Sequence, residues 1–154
     1  MIGMRACLFG KVTTYKGTHN YVDAVSKMNP ALIVTICPEV AGGLSIPRPP
    51  AEIVSYNPLK VINNKGEDVT LQYLEGSKKC LDKLKKHHVK VVLLKKNSPS
   101  CGNDGVYDGT FSKQLIEGQG VFAKMCEMEG IKVFNENQLE DFFEYLDLSC
   151  IQYK

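Results

Sequence analysis

The sequence predicts an α/β fold, a Rossmann-like and mainly parallel sheet with helices on both faces, in one domain across residues 1–154. Two observations predict it. Short apolar runs alternate along the chain with segments of helical periodicity, the pattern of consecutive βα units. One of those runs, Ala31-Leu32-Ile33-Val34-Thr35-Ile36-Cys37, is β-branched and nearly continuous in its apolarity, as a parallel strand covered on both faces is. The length of 154 residues fits one domain and allows a core without disulfides.

The elements follow in order. Met1–Leu8 reads as the first strand and ends at Gly10. Asn20 caps a short helix over Tyr21–Met28, with Tyr21, Ala24, Val25 and Met28 on one face. Asn29-Pro30 stops it. The apolar run Ala31–Cys37 is the second strand. A long loop from Pro38 to Pro58 carries five of the seven prolines in the chain. A loop of that length inside a compact domain is usually functional. Val61–Gly66 reads as a short edge strand and turn. A long helix starts at Asp68 or Thr70 and runs to about His88, with Leu71, Leu74, Leu81 and Leu84 at helical spacing. Val89–Leu94 is the third strand and Asn97–Gly109 a second loop. A helix over Gln119–Glu129 stops at Gly130. Ile131–Phe134 is the fourth strand, and Asn137 or Gln138 opens a last helix through Leu146.

Composition narrows the function classes. The net charge of +2 is too small to argue for a nucleic-acid polymer or an anionic membrane. Lys83, Lys85 and Lys86, and again Lys95 and Lys96, read as a solvated helix face and a strand end. No apolar run approaches a membrane span, and Met1–Gly10 lacks a signal-peptide pattern, so a cytoplasmic location is expected. Six cysteines in such a chain are better read as free, metal-bound or catalytic thiols than as a disulfide framework.

Topology gathers three of those cysteines. Cys7 lies near the end of the first strand, Cys37 at the end of the second, and Cys101 in the loop after the third. Ligands of open parallel sheets bind outside the carboxyl ends of the strands. Cys80, Cys126 and Cys150 fall on expected helices and read as ordinary packing or surface residues. A closed structural metal site takes four ligands; three leave a position open for chemistry. Three buried thiols without metal are the competing reading of the same pattern. Glu39, two residues beyond a strand end, is a candidate general acid or base. Ser98 and Ser100 are candidate hydrogen-bond donors to a substrate or to cluster sulfur, or else turn residues. Asp108-Gly109 reads equally as a turn. No phosphate-binding loop follows Gly10-Lys11, and His19, His87 and His88 have no partner at metal-ligand spacing.

Six blocks in succession carry a resemblance: Ala6-Cys7-Leu8-Phe9-Gly10, Cys37-Pro38-Glu39-Val40 with Gly42-Gly43-Leu44, Pro47-Arg48-Pro49-Pro50-Ala51-Glu52, Gly66-Glu67-Asp68-Val69-Thr70, Ser98-Pro99-Ser100-Cys101-Gly102, and Tyr107-Asp108-Gly109-Thr110-Phe111. In this order they resemble the YbbK/TudS family, formerly a domain family of unknown function, whose characterised members are thiouracil desulfidases. The resemblance runs from Cys7 to about Phe134. It implies a four-iron, four-sulfur cluster held by Cys7, Cys37 and Cys101, with one open iron that takes the sulfur of a thiolated nucleobase. It implies Glu39 and Ser98 as catalytic residues. Arg48, Glu52, Ser100, Tyr107 and Asp108 are the candidate substrate-binding residues. The implied reaction is a net hydrolysis, giving the oxo base and hydrogen sulfide, and the implied partner is a small thiolated nucleobase. A homo-oligomer is as compatible with this reading as a monomer. One stretch departs from the family pattern. The usual Asn-Cys-Arg-Tyr-Asp-Gly stands here as Thr13-Thr14-Tyr15-Lys16-Gly17, so a cysteine, an arginine and an aspartate give way to Thr13, Thr14 and Lys16. None of these is expected to hold the cluster, so the change bears on substrate choice. A non-catalytic iron–sulfur or sulfur-binding module, and a metal-free nucleobase- or nucleotide-binding protein, are the alternative functions.

Overall fold

A computed structural model describes all residues 1–154. Its centre is a parallel sheet of four strands, β1 (Ile2–Arg5), β2 (Ile33–Ile36), β5 (Val91–Leu94) and β8 (Lys132–Asn135), in the order β2-β1-β5-β8. β1 pairs with β2 in the register Ile2↔Ile33 to Arg5↔Ile36, and with β5 through Gly3↔Val92 and Met4↔Leu93. The apolar runs are continuous because both faces are covered. On one face, Val34, Ile36, Val92 and Leu94 pack with Cys80 and Leu84 of α2 (Thr70–Lys86) and Phe122 and Cys126 of α3 (Val121–Met128). On the other, Ile2, Met4, Val91, Leu93 and Phe134 pack with Phe142 and Leu146 of α4 (Leu139–Leu148). No helix is long and apolar enough to cross a membrane.

Several expectations are corrected. The first strand stops at Arg5, and Ala6–Phe9 is a 3-10 turn closed by Gly10 at φ 93°. The helix expected over Tyr21–Met28 is a five-residue 3-10 turn, Asp23–Lys27. Asn29-Pro30 follows too soon for a run of i→i−4 bonds to repay nucleation. Asn20 does not cap it; its side-chain amide lies 3.6 Å from Cys7 Sγ. The stretch Pro38–Pro58 is not one loop. It holds the short helix α1 (Pro38–Ala41) and β3 (Ala51–Tyr56), which pairs antiparallel with β4 (Leu59–Asn63) as a hairpin apart from the central sheet. Pro50 and Pro58 lie outside β3 and take no donor from its ladder. The Asn97–Gly109 loop contains β6 (Val106–Tyr107), paired antiparallel with β7 (Leu115–Ile116). Of the α2 leucines, Leu84 is buried and Leu74 and Leu81 pack against the core as their spacing suggests, and Leu71 alone points away. Leu71 is 63% exposed, while Tyr73, Gly76, Ser77, Cys80 and Leu84 are buried. Cys150 lies just past α4, exposed and at φ 56°.

That buried face of α2 is what positions α1. A Cβ at Gly76 would stand 1.8 Å from Pro38 O, and one at Gly42 2.0 Å from Gln72 O. The two helices therefore cross backbone to backbone. The loop carrying Ser98, Ser100 and Cys101 is anchored on α3. Val121 N–H donates to Pro99 O, and Phe122 and Ala123 N–H both donate to Ser100 O. Loop carbonyls so satisfy donors that a helix start leaves open.

Candidate active site

A cavity of about 650 Å³ opens at the carboxyl ends of β1, β2 and β5. Arg5 and Cys7 come to it from the end of β1, Glu39 from α1, and Lys95, Lys96 and Ser98 from the segment after β5. Arg48, Glu52, Tyr73 and Tyr107 line it too, as do Thr14, Tyr15 and Lys16 of the divergent stretch.

Its electrostatic centre is the Arg5–Glu39 pair, both almost wholly buried. Arg5 Nη2 donates to Glu39 Oε2 at 3.0 Å. Arg5 Nη1 donates to Ser100 Oγ and to Cys101 Sγ, each at 2.8 Å. Ser100 Oγ in turn donates to Glu39 Oε1 at 2.6 Å, and Ser98 Oγ lies 2.9 Å from Ser100 Oγ. Ser98 Oγ also accepts the backbone N–H groups of Ser100 and Cys101, each at 3.2 Å. Arg48 Nη2 stands 3.9 Å from Glu39 Oε2 and is held by Thr13 O at 3.0 Å. Burial pushes the Glu39 carboxyl up. The Arg5 and Arg48 guanidinium groups and the Ser100 hydrogen bond outweigh it and hold the carboxyl below its ordinary value. Glu39 is thus an ionised acceptor at the wall of the cavity.

Burial likewise opposes the charge of Arg5. The neighbouring Cys101, Glu39, Cys37 and Cys7 overcome it and leave Arg5 well above its ordinary value. Arg5 therefore stands within the field of all three strand-end cysteines. Burial pushes the Cys101 thiol up to about 11, against the pull of Arg5. It also raises Cys7, which Arg5 and Asn20 pull the other way. All three cysteines are buried, and of them Cys7 lines the cavity. Cys80 of α2 and Cys126 of α3 face the core, and burial holds Cys80 at about 12.

The donor chemistry, cysteine sulfur beside a buried cation, suits an iron–sulfur cluster. No three His, Cys, Asp or Glu side chains stand close enough together to share one metal ion. Thiolates on a cluster each bond a different iron and stand apart around it. A buried cation beside them offsets thiolate charge, and Arg5 Nε is a buried N–H with no protein partner, a donor left over for such a group.

The remaining sequence candidates separate. Tyr107 and Arg48 line the cavity. Glu52 lines it as well, but its Oε1 accepts the N–H groups of Gly109 and Phe111 at 3.0 and 3.2 Å, which fixes that loop. Ser100 is fully buried behind Ser98. Asp108 is not brought to the cavity; its Oδ1 accepts from Thr110 N and Oγ1, the turn that Asp-Gly equally suggested. Lys95 and Lys96, expected as a solvated strand end, lie on the wall. Sequence reasoning missed Arg5. Its signal was present: a lone charge inside the otherwise apolar stretch Ile2-Gly3-Met4-Arg5-Ala6-Cys7-Leu8, where buried charge calls for a partner.

Comparison with known proteins adds three findings. A family model described as 2-thiouracil desulfurase matches residues 2–138. The chain is 40% identical over 149 residues to the uncharacterized protein YbbK of Bacillus subtilis (strain 168), covering 92% of this chain and 99% of that one. The solved structure of TudS, a 4Fe-4S-dependent thiouracil desulfidase, is similar at a TM-score of 0.87 and 34% identity, over 96% of this chain and 97% of the other.

Proposed function

The chain belongs to the 2-thiouracil desulfurase family, and from that membership we propose that it hydrolyses a thiolated nucleobase to the oxo base and hydrogen sulfide. Cys7, Cys37 and Cys101 hold a four-iron, four-sulfur cluster in this reading. When bound, the cluster supplies a soft Lewis acid, the iron without a protein ligand, suited to the sulfur of the substrate. The observation that carries the proposal is Glu39: a carboxylate kept ionised by Arg5, Arg48 and Ser100 on the wall of the cavity that Cys7 also lines.

The chain's own groups then have distinct tasks. Glu39 takes a proton from the water that attacks the ring carbon bearing sulfur. The Glu39–Ser100–Ser98 hydrogen-bond chain, 2.6 and 2.9 Å long in its two links, returns protons to the departing sulfur from the cavity side. Tyr15, Tyr73, Tyr107 and Phe111 line the cavity and give it aromatic surface suited to a flat heterocycle. Arg48 and Tyr107 bind the ring, while Glu52 acts through the loop it holds. The balance is one thiouracil and one water to one uracil and one hydrogen sulfide, with no net redox change. A reducing cytoplasm suits the exposed iron, and we place the reaction there.

Anaerobic cluster reconstitution, iron and sulfide analysis, and incubation with thiouracils test the reading. Sulfide release matched by oxo-base formation is expected. A protein that carries its cluster yet releases no sulfide from any thiouracil would leave the non-catalytic sulfur-binding role, which the cavity-lining Thr14 and Lys16 of the divergent stretch favour.

A further inference from the structure

We infer that Arg5 is a positioning residue that ties the cluster to the catalytic carboxylate, an inference that rests on the cluster reading above. The single planar guanidinium has three tasks. Nη2 holds Glu39 at 3.0 Å, and Nη1 holds Ser100 and the sulfur of Cys101, each at 2.8 Å. It is only 4% exposed, and its backbone is fixed as the last residue of β1, in register with Ile36 at the end of β2. The salt bridge itself uses Nη2 alone. Here the second arm is used on a ligand sulfur and on the serine that links Ser98 to Glu39.

Two consequences follow from that geometry. A cationic N–H donated to a cluster ligand draws density from the sulfur and raises the reduction potential of the cluster. The rigid fork also sets the separation between Glu39 and Cys101, because both hang from one plane; a lysine carries the charge but cannot span both. Arg5 thus governs the cluster electronically and the base geometrically.

The test uses the reconstituted full chain under anaerobic conditions, as wild type, Arg5→Lys and Arg5→Gln. Iron and sulfide per chain, the reduction potential of the cluster, and steady-state desulfidation are measured on each. Arg5→Gln is expected to show a more negative potential than wild type. Arg5→Lys is expected to recover most of that potential while kcat stays lowered, by about 10²-fold for a misplaced base, with KM little changed. Equal potentials in all three proteins at equal iron content would overturn the inference and leave the desulfidase reading standing. A wild-type chain that takes up no iron and sulfide would overturn both. A measurement on wild type alone covers the case in which the variants do not fold. The chain has only two arginines, Arg5 and Arg48, so labelling arginine with 15N and reducing the cluster should give a weak but resolvable hyperfine coupling to a guanidinium nitrogen. Absence of any such coupling in the loaded protein would overturn the inference.

Discussion

Glu39 is a carboxylate that burial disfavours and two guanidinium groups maintain, and this conflict makes it sensitive to conservative change. Glu39→Gln keeps the shape and removes the proposed base. Desulfidation should fall about 10²- to 10⁴-fold, the usual worth of a positioned base, while iron content is unchanged. A variant that turns over at the wild-type rate would remove Glu39 from the chemistry. The same pair links stability to pH. The carboxyl is depressed in the folded chain, so its contribution is complete above the unfolded value of about 4.3 and is lost as pH falls through the folded value. Denaturant unfolding of the metal-free proteins should place Glu39→Gln about 3 kcal/mol below wild type near neutrality, because Arg5 loses its anionic partner. That gap should narrow in acid; a gap independent of pH would contradict the ion pair. At this scale the placement of Glu39, Ser98 and Cys7 on one cavity was legible from their places beyond strand ends and from motif blocks. Arg5 was less so, because its partners Glu39 and Ser100 are 34 and 95 residues away in the chain.

Among the elements, α1 has four residues and no means of standing alone. Its crossing with α2 holds it, and with it Glu39. Gly76→Ala would improve helix propensity but drive a methyl into Pro38 O. The clash decides the sign, and a loss of about 3 kcal/mol is expected, with desulfidation falling as α1 moves. A thermal or denaturant midpoint at or above that of wild type would show that the crossing tolerates the methyl. Gly120 has the corresponding place under the Cys101 loop, where a Cβ would meet Ser100 C at 2.4 Å and Cys101 N at 2.6 Å. Gly120→Ala should therefore lower iron retained after desalting, while leaving the far-ultraviolet circular dichroism in place. Full iron retention would uncouple the loop from that contact. The strands and long helices were readable from apolar runs and periodicity. Tyr21–Met28 and the Pro38–Pro58 stretch were not, since a 3-10 turn mimics helical spacing over five residues and prolines outside a hairpin resemble a loop.

For the whole molecule, three strand ends and two loops must be in register before the site exists, so a group bound there stabilises only the folded chain. The reconstituted protein should melt at a higher temperature than the metal-free form, and removal of iron by chelation under anaerobic conditions should reverse the shift. Identical midpoints would argue against a cluster held by the folded state. The sequence by itself determined the parallel α/β class, the order of the sheet's strands along the chain and the family, because these depend on local apolar patterning and on contiguous motifs. Only the tertiary structure decided that Tyr73, Gly76 and Ser77 complete the buried face of α2, that β3 and β4 form a separate hairpin, that Asp108 closes its own turn, and that Arg5 stands between Glu39 and Cys101. The physical reason is range. Periodicity and capping act over a few residues, whereas backbone crossings at glycine and the pairing of a buried charge join segments that the chain brings together only when it folds.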